Sequence, residues 1–285
     1  MSVIVMVTAG AAALLGLLWP GSLASEVATT VRGDSVRLSG HGLYRYETAL
    51  RSGANQGSDL VTLLLAIPVL ALANHRYWRR SVGAALLVAG ALSWFVYVSA
   101  SMALGAMYNA LFLVYVAVLS TSAFALGAVI RSVPVELLAA RLEGVAPRRA
   151  TAWLMVCSGL VTAVVWLGPL VGAAVSGRPP ALLDHYTTMV TDVLDLALIT
   201  PATLLAAWWL LRRRAEGYVL AVPLLALLVA LLPMIASQTA FQVAAGVSFT
   251  PGEIVGPVGG FVVLAAWALP LLARTLRAAD RGTPA

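Results

Sequence analysis

Long runs of apolar residues alternate with short polar segments along the whole chain. A helix needs about 20 residues, at about 1.5 Å each, to cross the roughly 30 Å hydrocarbon layer of a membrane. Eight stretches reach or approach that length, near residues 3–20, 58–75, 82–103, 107–130, 151–175, 189–211, 218–239 and 255–274. The pattern predicts an all-α integral membrane protein, with residues 1–285 forming one bundle of eight transmembrane helices in contact with the lipid bilayer.

The arginines divide unevenly between the two sides of this predicted bundle. All 18 basic residues are Arg, and 13 of them fall in one alternating set of connections. The remaining five lie in the other set, at positions 32, 37, 45, 51 and 178. Because cytoplasmic connections are enriched in Lys and Arg, we expect the arginine-rich set inside. Both termini would then be cytoplasmic in a multi-pass protein of the cell (plasma) membrane.

Composition supports this class and excludes several others. Hydrophobic residues make up 61% of the chain and charged residues 11%, where a soluble domain has about 25% charged. The net charge of +6 lies in short clusters between apolar runs, so it does not indicate nucleic acid as a partner. The absence of Lys excludes Schiff-base chemistry. The single Cys157 excludes an intrachain disulfide. No cofactor is expected, and the oligomeric state stays open.

The first apolar stretch has two interpretations. Ser22-Leu23-Ala24 resembles a small-residue signal-peptidase site that follows an apolar segment. Residues 1–10 carry no Lys or Arg, however, and a signal peptide normally begins with a positive segment. A retained first helix is therefore favoured over a cleaved one, which would leave seven spans.

Residues 21–57 form the one sizeable extracytoplasmic loop that the pattern predicts, about 35 residues long. Residues 27–31 and 36–40 flank Arg32-Gly33-Asp34-Ser35, which predicts a small β-hairpin. The Arg-Gly-Asp triplet also occurs in adhesion sites, but a tight turn favours the same residue types.

The end of this loop predicts a short interfacial helix. Leu43, Glu47 and Leu50 fall on one side of it, and Tyr44 and Tyr46 suit the headgroup level. The helix would place Glu47 at the outer surface, where its carboxylate is a candidate ligand-binding group.

Residues 58–80 and 191–213 resemble each other at an offset of 133 residues. The alignment pairs Asp59 with Asp192 and Pro68 with Pro201, and both segments end in consecutive arginines. The spans lie four apart and run in the same direction, which is the pattern of a parallel 4+4 repeat. Two apolar helices that end in arginine can also resemble each other by chance.

Asp192 and Asp195 are the main candidates for a functional site. They lie one and two turns inside a predicted span, too deep to cap a helix, where a carboxylate costs up to about 3 kcal/mol. Their i, i+3 spacing places them on one face, so the two groups could share a proton. The structural alternative is that Arg45 or Arg51 reaches down from the loop and pairs with them.

Other polar residues at predicted outer helix ends complete the set of ligand or ion-binding candidates, namely Asp59, Gln238, Gln242, Tyr108, Asn109, Glu47 and Glu253. The inner halves of the helices are almost wholly apolar, so these residues predict a cavity open to the outside. For Asp59 and Glu253 a role at a helix N-terminus is an alternative to ligand binding. Ser58 could be an N-cap beside Asp59, and Glu253 completes a capping box that begins at Thr250. No metal site is expected, because no ligand spacing supports one.

Three segments resemble parts of uncharacterised bacterial multi-pass membrane proteins: residues 56–63 (QGSDLVTL), residues 108–115 (YNALFLVY) and the stretch from Gln238 to Pro257. The resemblance covers about a third of the chain. It implies a class of membrane protein and carries no activity, catalytic residue or cofactor.

Three functions remain open at this point. The first is transport or binding of a small solute, cation or proton at the acidic groups. The second is a membrane enzyme that uses the acidic pair on a lipid or isoprenoid substrate. The third is a non-catalytic partner or assembly subunit that works through the outer loop. The sequence leaves open whether the protein is an enzyme.

Overall fold

The computed structural model describes residues 1–21, 25–79 and 81–281, apart from the side chains of residues 181 and 253–257. Its helices are α1 (Ser2–Leu18), α2 (Ala49–Val61), α3 (Ile67–Trp78), α4 (Val82–Gly105), α5 (Phe112–Ser132), α6 (Val135–Leu142), α7 (Arg148–Ser176), α8 (Val190–Leu194), α9 (Thr200–Leu211), α10 (Glu216–Ala244) and α11 (Pro251–Ala279). Two π-helical segments, π1 (Thr62–Ala66) and π2 (Asp195–Ile199), join α2 to α3 and α8 to α9.

Seven of the predicted stretches are helices long and apolar enough to cross a membrane: Ala49–Trp78, Val82–Gly105, Phe112–Ser132, Arg148–Ser176, Val190–Leu211, Glu216–Ala244 and Val258–Ala279. The first stretch, α1, has 17 residues and rises about 26 Å, less than the roughly 30 Å of hydrocarbon. Its small residues Ala9, Ala12 and Ala13 are nevertheless buried against the other helices. The chain is therefore a helical membrane protein, with α1 packed onto seven longer helices.

The second predicted span, which starts with α2, begins earlier than the sequence predicts. Its N-cap is Thr48, whose hydroxyl accepts the Arg51 N–H at 3.4 Å, so Ser58 lies inside the helix and the N-cap assignment of Ser58 is wrong. The polar residues between Arg51 and Ser58 are helical because Gly53 and Gly57 press against α10. A Cβ at Gly57 would lie 2.4 Å from the backbone nitrogen of Gln238. This is the close backbone approach that a Gly-x-x-x-Gly spacing permits between membrane helices.

The two π segments occupy matching positions in the chain. Their first residues, 62 and 195, and their last residues, 66 and 199, are both 133 apart. In each, the next N–H bonds five residues back, from Ile67 to Thr62 and from Thr200 to Asp195. Pro68 and Pro201 each lie two residues after a π segment, where the missing N–H of proline removes one α-helical hydrogen bond.

Helices α4 and α10 form the centre of the bundle and pack against each other. Helix α4 also contacts α3 and α5, and α10 contacts α2, α9 and α11. Trp94 and Phe95 of α4 and Leu225 of α10 are fully buried. Because these two helices touch both halves of the chain, they position the side chains that α7, α8 and α9 bring from the other side.

The loop before α2 contains the predicted hairpin. Strands β1 (Glu26–Thr29) and β2 (Ser35–Leu38) pair antiparallel, with Val27 opposite Arg37. Thr30 closes the turn, since its hydroxyl accepts the N–H groups of Arg32 and Asp34. Arg32 in turn donates to the carbonyl of Asp184 at 2.6 Å, which ties the hairpin to the connection before α8.

Candidate functional site

Glu47 lies at the junction of three outer connections, and it is 1% exposed. Its Oε1 accepts the Met107 N–H at 2.8 Å, and its Oε2 accepts the hydroxyl of Tyr186. Burial raises the pKa of Glu47, and the bonds from Tyr186 and Met107 oppose that rise. The pKa of Tyr186 is raised by its own burial and by Glu47. Glu47 therefore joins the loop before α2 to the connections that precede α5 and α8.

Asp59 is buried in the amino-terminal half, where it bonds to a tyrosine of the outer loop. The Tyr44 hydroxyl donates to Asp59 Oδ2 at 2.6 Å, and Asp59 is 6% exposed. Gly16 of α1 makes room for this contact, because a Cβ there would lie 2.0 Å from Oδ2. A small void of 30 Å³ remains beside Asp59, and Thr62 and Tyr115 also line it.

The two glutamines join helices to each other. Gln238 donates to the hydroxyl of Ser58 at 2.9 Å, and Gln242 donates to the carbonyl of Leu50 at 2.9 Å. Both bonds run between α10 and α2, at the level of the close Gly53 and Gly57 contacts. These amides hold the two helices together at their outer ends.

Tyr108 and Asn109 belong to the turn between α4 and α5. Tyr108 is 78% exposed and its ring packs 5.5 Å from that of Phe112. The Asn109 side chain accepts the Leu111 N–H at 2.9 Å and donates to the Met107 carbonyl. Asn109 thus forms a local turn of the kind that starts a helix. The side chain of Glu253, another predicted candidate, lies outside the described residues.

Asp192 and Asp195 occupy different environments. Helix α8 begins at Val190, so Asp192 lies in its first turn, where the helix dipole favours a negative charge. The structure thus places Asp192 nearer the start of its helix than the sequence predicts, although the N-cap of α8 is Met189. Arg51 is the cation whose charge acts on Asp192. Within the described residues, no ion pair joins Arg45 or Arg51 to either aspartate.

Asp195 is the first residue of π2, one turn deeper in the membrane-spanning helix. The indole N–H of Trp166, from α7, donates to Asp195 Oδ2 at 2.8 Å. Tyr97 of α4 interacts electrostatically with Asp195. The indole bond from α7 fixes the direction of this carboxylate. It could not be inferred from the sequence, because Trp166 lies in an apolar run far from residue 195.

Asp195 forms part of the wall of a 360 Å³ cavity inside the bundle. The cavity lies between α7, π2, α9, α10 and α11, and most of its wall is Leu, Val, Ile, Met and Phe. Besides Asp195 and Trp166, its polar groups are the hydroxyls of Ser158, Thr162 and Thr203. Val161 and Val165 of the same wall are 49% and 53% exposed, so this part of the wall also reaches the surface of the bundle.

The amino-terminal half has a smaller counterpart of this cavity. The 30 Å³ void at Asp59 is lined by Thr62, Phe95 and Val98, and the 360 Å³ cavity by Asp195, Leu228 and Leu231. Each residue of the first trio lies 133 positions before one of the second. In the first half, the bulky pair of Tyr44 and Tyr115 surrounds Asp59 and little space is left.

The structure thus distributes eight of the nine predicted candidates over several places. Asp195 lines the large cavity, Asp59 the small void, and Asp192 the first turn of α8. Glu47, Gln238, Gln242 and Asn109 hold connections or helices together, and Tyr108 is at the surface.

The described residues contain no group of three His, Cys, Asp or Glu side chains that could hold a metal ion. Comparison of the chain with protein families, characterised proteins and solved structures finds no significant match.

Proposed function

We propose that the protein binds a small, mainly apolar molecule that enters from the lipid phase, and that Asp195 holds the polar group of this molecule. The observation that carries the proposal is the 360 Å³ cavity with one carboxylate in a mainly apolar wall. Ligand sites commonly combine an apolar lining with a few placed polar groups. A carboxylate within a membrane helix is costly unless it has a partner or a function.

The exposure of the α7 wall favours a ligand from the membrane over one from water. Val161 and Val165 lie both on the cavity wall and at the bundle surface, where acyl chains would lie. A hydroxyl or amine group at the end of a lipid or isoprenoid chain could reach Asp195, while the chain lies along the Leu residues of α10. An enzyme that uses Asp195 as an acid or base on such a molecule would use the same contacts.

Transport is the second candidate, and the matched π segments favour it. π-bulges inside helices occur frequently at functional sites, and parallel repeats are a known architecture of transporters. In this account, α1 to α5 and α7 to α11 are the two halves of a 4+4 arrangement. Helix α1 is then the eighth span, both termini lie in the cytoplasm, and the membrane is the plasma membrane.

Filling the cavity tests the proposal directly. Gly260 lines it, and a Cβ at Gly260 would have no heavy atom within 4 Å, so Gly260→Leu adds its side chain to free space. Gly172→Leu is the matched control, because a Cβ at Gly172 of α7 also has no neighbour within 4 Å and Gly172 lies outside the cavity wall.

The probe is farnesol, an isoprenoid alcohol, added to the purified protein in detergent. Because a ligand that binds only the folded state raises the unfolding midpoint, farnesol should stabilise the wild type and Gly172→Leu but not Gly260→Leu. Equal stabilisation of all three proteins, or of none, would contradict the proposed binding.

A further inference from the structure

A second cleft, separate from the Asp195 cavity, lies at the end of the bundle where α7 and α10 begin. It has a volume of 750 Å³ and is bounded by the end of α6, the start of α7 and the connection between α9 and α10. Four arginines line it, Arg148, Arg149, Arg213 and Arg214, together with Tyr218 and the exposed Glu143. We infer that this cleft, which we call the arginine cleft, binds a phosphate group.

The two arginine pairs come from connections far apart in sequence and are held beside each other. Arg148 donates to the carbonyl of Leu210 at 2.9 Å, so the first residue of α7 is tied to the end of α9. Arginines that only signalled topology would need to lie on one side of the membrane. They would not need to converge on one concave surface with a buried tyrosine as its base.

The four arginine side chains of the cleft differ in whether they already have a bonding partner. Arg214 pairs with Glu216 at 2.9 Å, and Arg148 has its carbonyl partner. In the part of the chain that the structure describes, Arg149 and Arg213 form no ion pair. Arg213 also has a φ of 59°, a conformation that is uncommon for a residue with a side chain. Two guanidinium groups are thus available at the rim of the cleft.

Phosphate is the chemistry that fits this arrangement best. Guanidinium groups donate two parallel hydrogen bonds to phosphate oxygens, a geometry that Lys cannot supply. The charge of Glu143 opposes an anion, but four arginines outnumber it. The phosphate could belong to the headgroup of an anionic phospholipid, since basic pockets at membrane helix ends bind such headgroups, or to a free phosphate in solution.

The test uses the full purified chain in detergent micelles with two probes, phosphatidylglycerol mixed into phosphatidylcholine, and inorganic phosphate. The cleft variant is Arg149→Gln/Arg213→Gln. Its control, Arg79→Gln/Arg131→Gln, removes the same charge from exposed arginines at the ends of α3 and α5, outside the cleft. We expect the cleft variant to bind the phosphate-bearing probe at least about tenfold more weakly. We expect a change of less than about twofold in the control.

The two probes separate the sources of the phosphate. Binding of phosphatidylglycerol that inorganic phosphate does not displace identifies a lipid headgroup, and binding of inorganic phosphate alone identifies a soluble anion. Arg149→Lys/Arg213→Lys keeps the charge of the cleft and is the control for misfolding caused by loss of charge. It should still bind the probe more weakly than the wild type, because the paired hydrogen bonds are lost. Equal losses in the cleft and control variants, or no binding of either probe to the wild type, would overturn the inference.

Discussion

The indole N–H of Trp166 lies 2.8 Å from Asp195 Oδ2, and this bond joins α7 to the first residue of a π-helical segment. It holds a carboxylate against the wall of a 360 Å³ cavity inside a membrane-spanning bundle. A fixed carboxylate loses less conformational freedom when a ligand binds than a mobile one would. The geometry of π2 and Trp166 is therefore the basis of the proposed ligand site.

Pro201→Ala should alter the geometry of the proposed site. Alanine restores an N–H that can donate to the Ala197 carbonyl, so π2 should become α-helical and turn Asp195 away from Trp166. We expect the affinity for farnesylamine, an isoprenoid amine, to fall. Pro233→Ala is the control and should leave the affinity unchanged, because this exposed proline lies in α10, which is α-helical from Glu216 to Ala244.

Gly57→Ala should separate α2 from α10. The new Cβ would lie 2.4 Å from the backbone nitrogen of Gln238, and backbone atoms cannot move aside as a flexible side chain can. We expect a loss of about 1–3 kcal/mol in the free energy of unfolding, measured by denaturant titration in micelles. In Gly168→Ala the added carbon meets no atom within 4 Å, so this control should be neutral or slightly stabilising.

Glu47→Ala should weaken the contact between the loop before α2 and the connections that precede α5 and α8. We expect this effect at any pH at which the protein is folded. It leaves the Met107 N–H and the Tyr186 hydroxyl without their acceptor in a buried place. Each unsatisfied group costs about 1–3 kcal/mol, and both losses should appear in the free energy of unfolding. Glu26→Ala, at an exposed position of β1, is the comparison. A loss no larger than that of Glu26→Ala would show that Glu47 does not hold the connections together.

The raised pKa of Glu47 also predicts a dependence of stability on pH. A carboxyl whose folded pKa exceeds its unfolded value of about 4.5 favours the folded state most below that value. This contribution is lost as the pH rises from 4.5 through the folded pKa. His185 acts in the opposite direction, because burial lowers its pKa and its contribution is lost as the pH falls below 6.5.

Glu47→Gln separates these two effects, since it keeps polar atoms at the junction and removes the titration. Above pH 4.5, unfolding midpoints of this variant should fall less with rising pH than those of the wild type. The same fall in both proteins would contradict the assignment to Glu47.

The sequence predicted the features that depend on local pattern. Apolar length predicted eight spans, and seven of them are helices long enough to cross a membrane. The π segments themselves were not predicted, although the aligned Pro68 and Pro201 lie two residues after them. Features that depend on distant contacts were missed. The polar start of α2 is helical because of α10, and the two glutamines face Ser58 and Leu50 across that contact. No local pattern could have shown that Trp166 reaches Asp195.

The central claim is that the Asp195 carboxylate, and not its neighbour Asp192, recognises the polar end of an apolar ligand. The measurement compares the affinities of farnesylamine, whose amine is protonated, and farnesol for the wild type, Asp195→Asn and Asp192→Asn, after subtracting the uptake by empty micelles. Since a hydrogen bond to a charged group contributes about 1.5–3 kcal/mol, the wild type should prefer farnesylamine by about tenfold or more. We predict that Asp195→Asn loses this preference and Asp192→Asn keeps it. An unchanged preference in Asp195→Asn, or its loss in Asp192→Asn, would contradict the account.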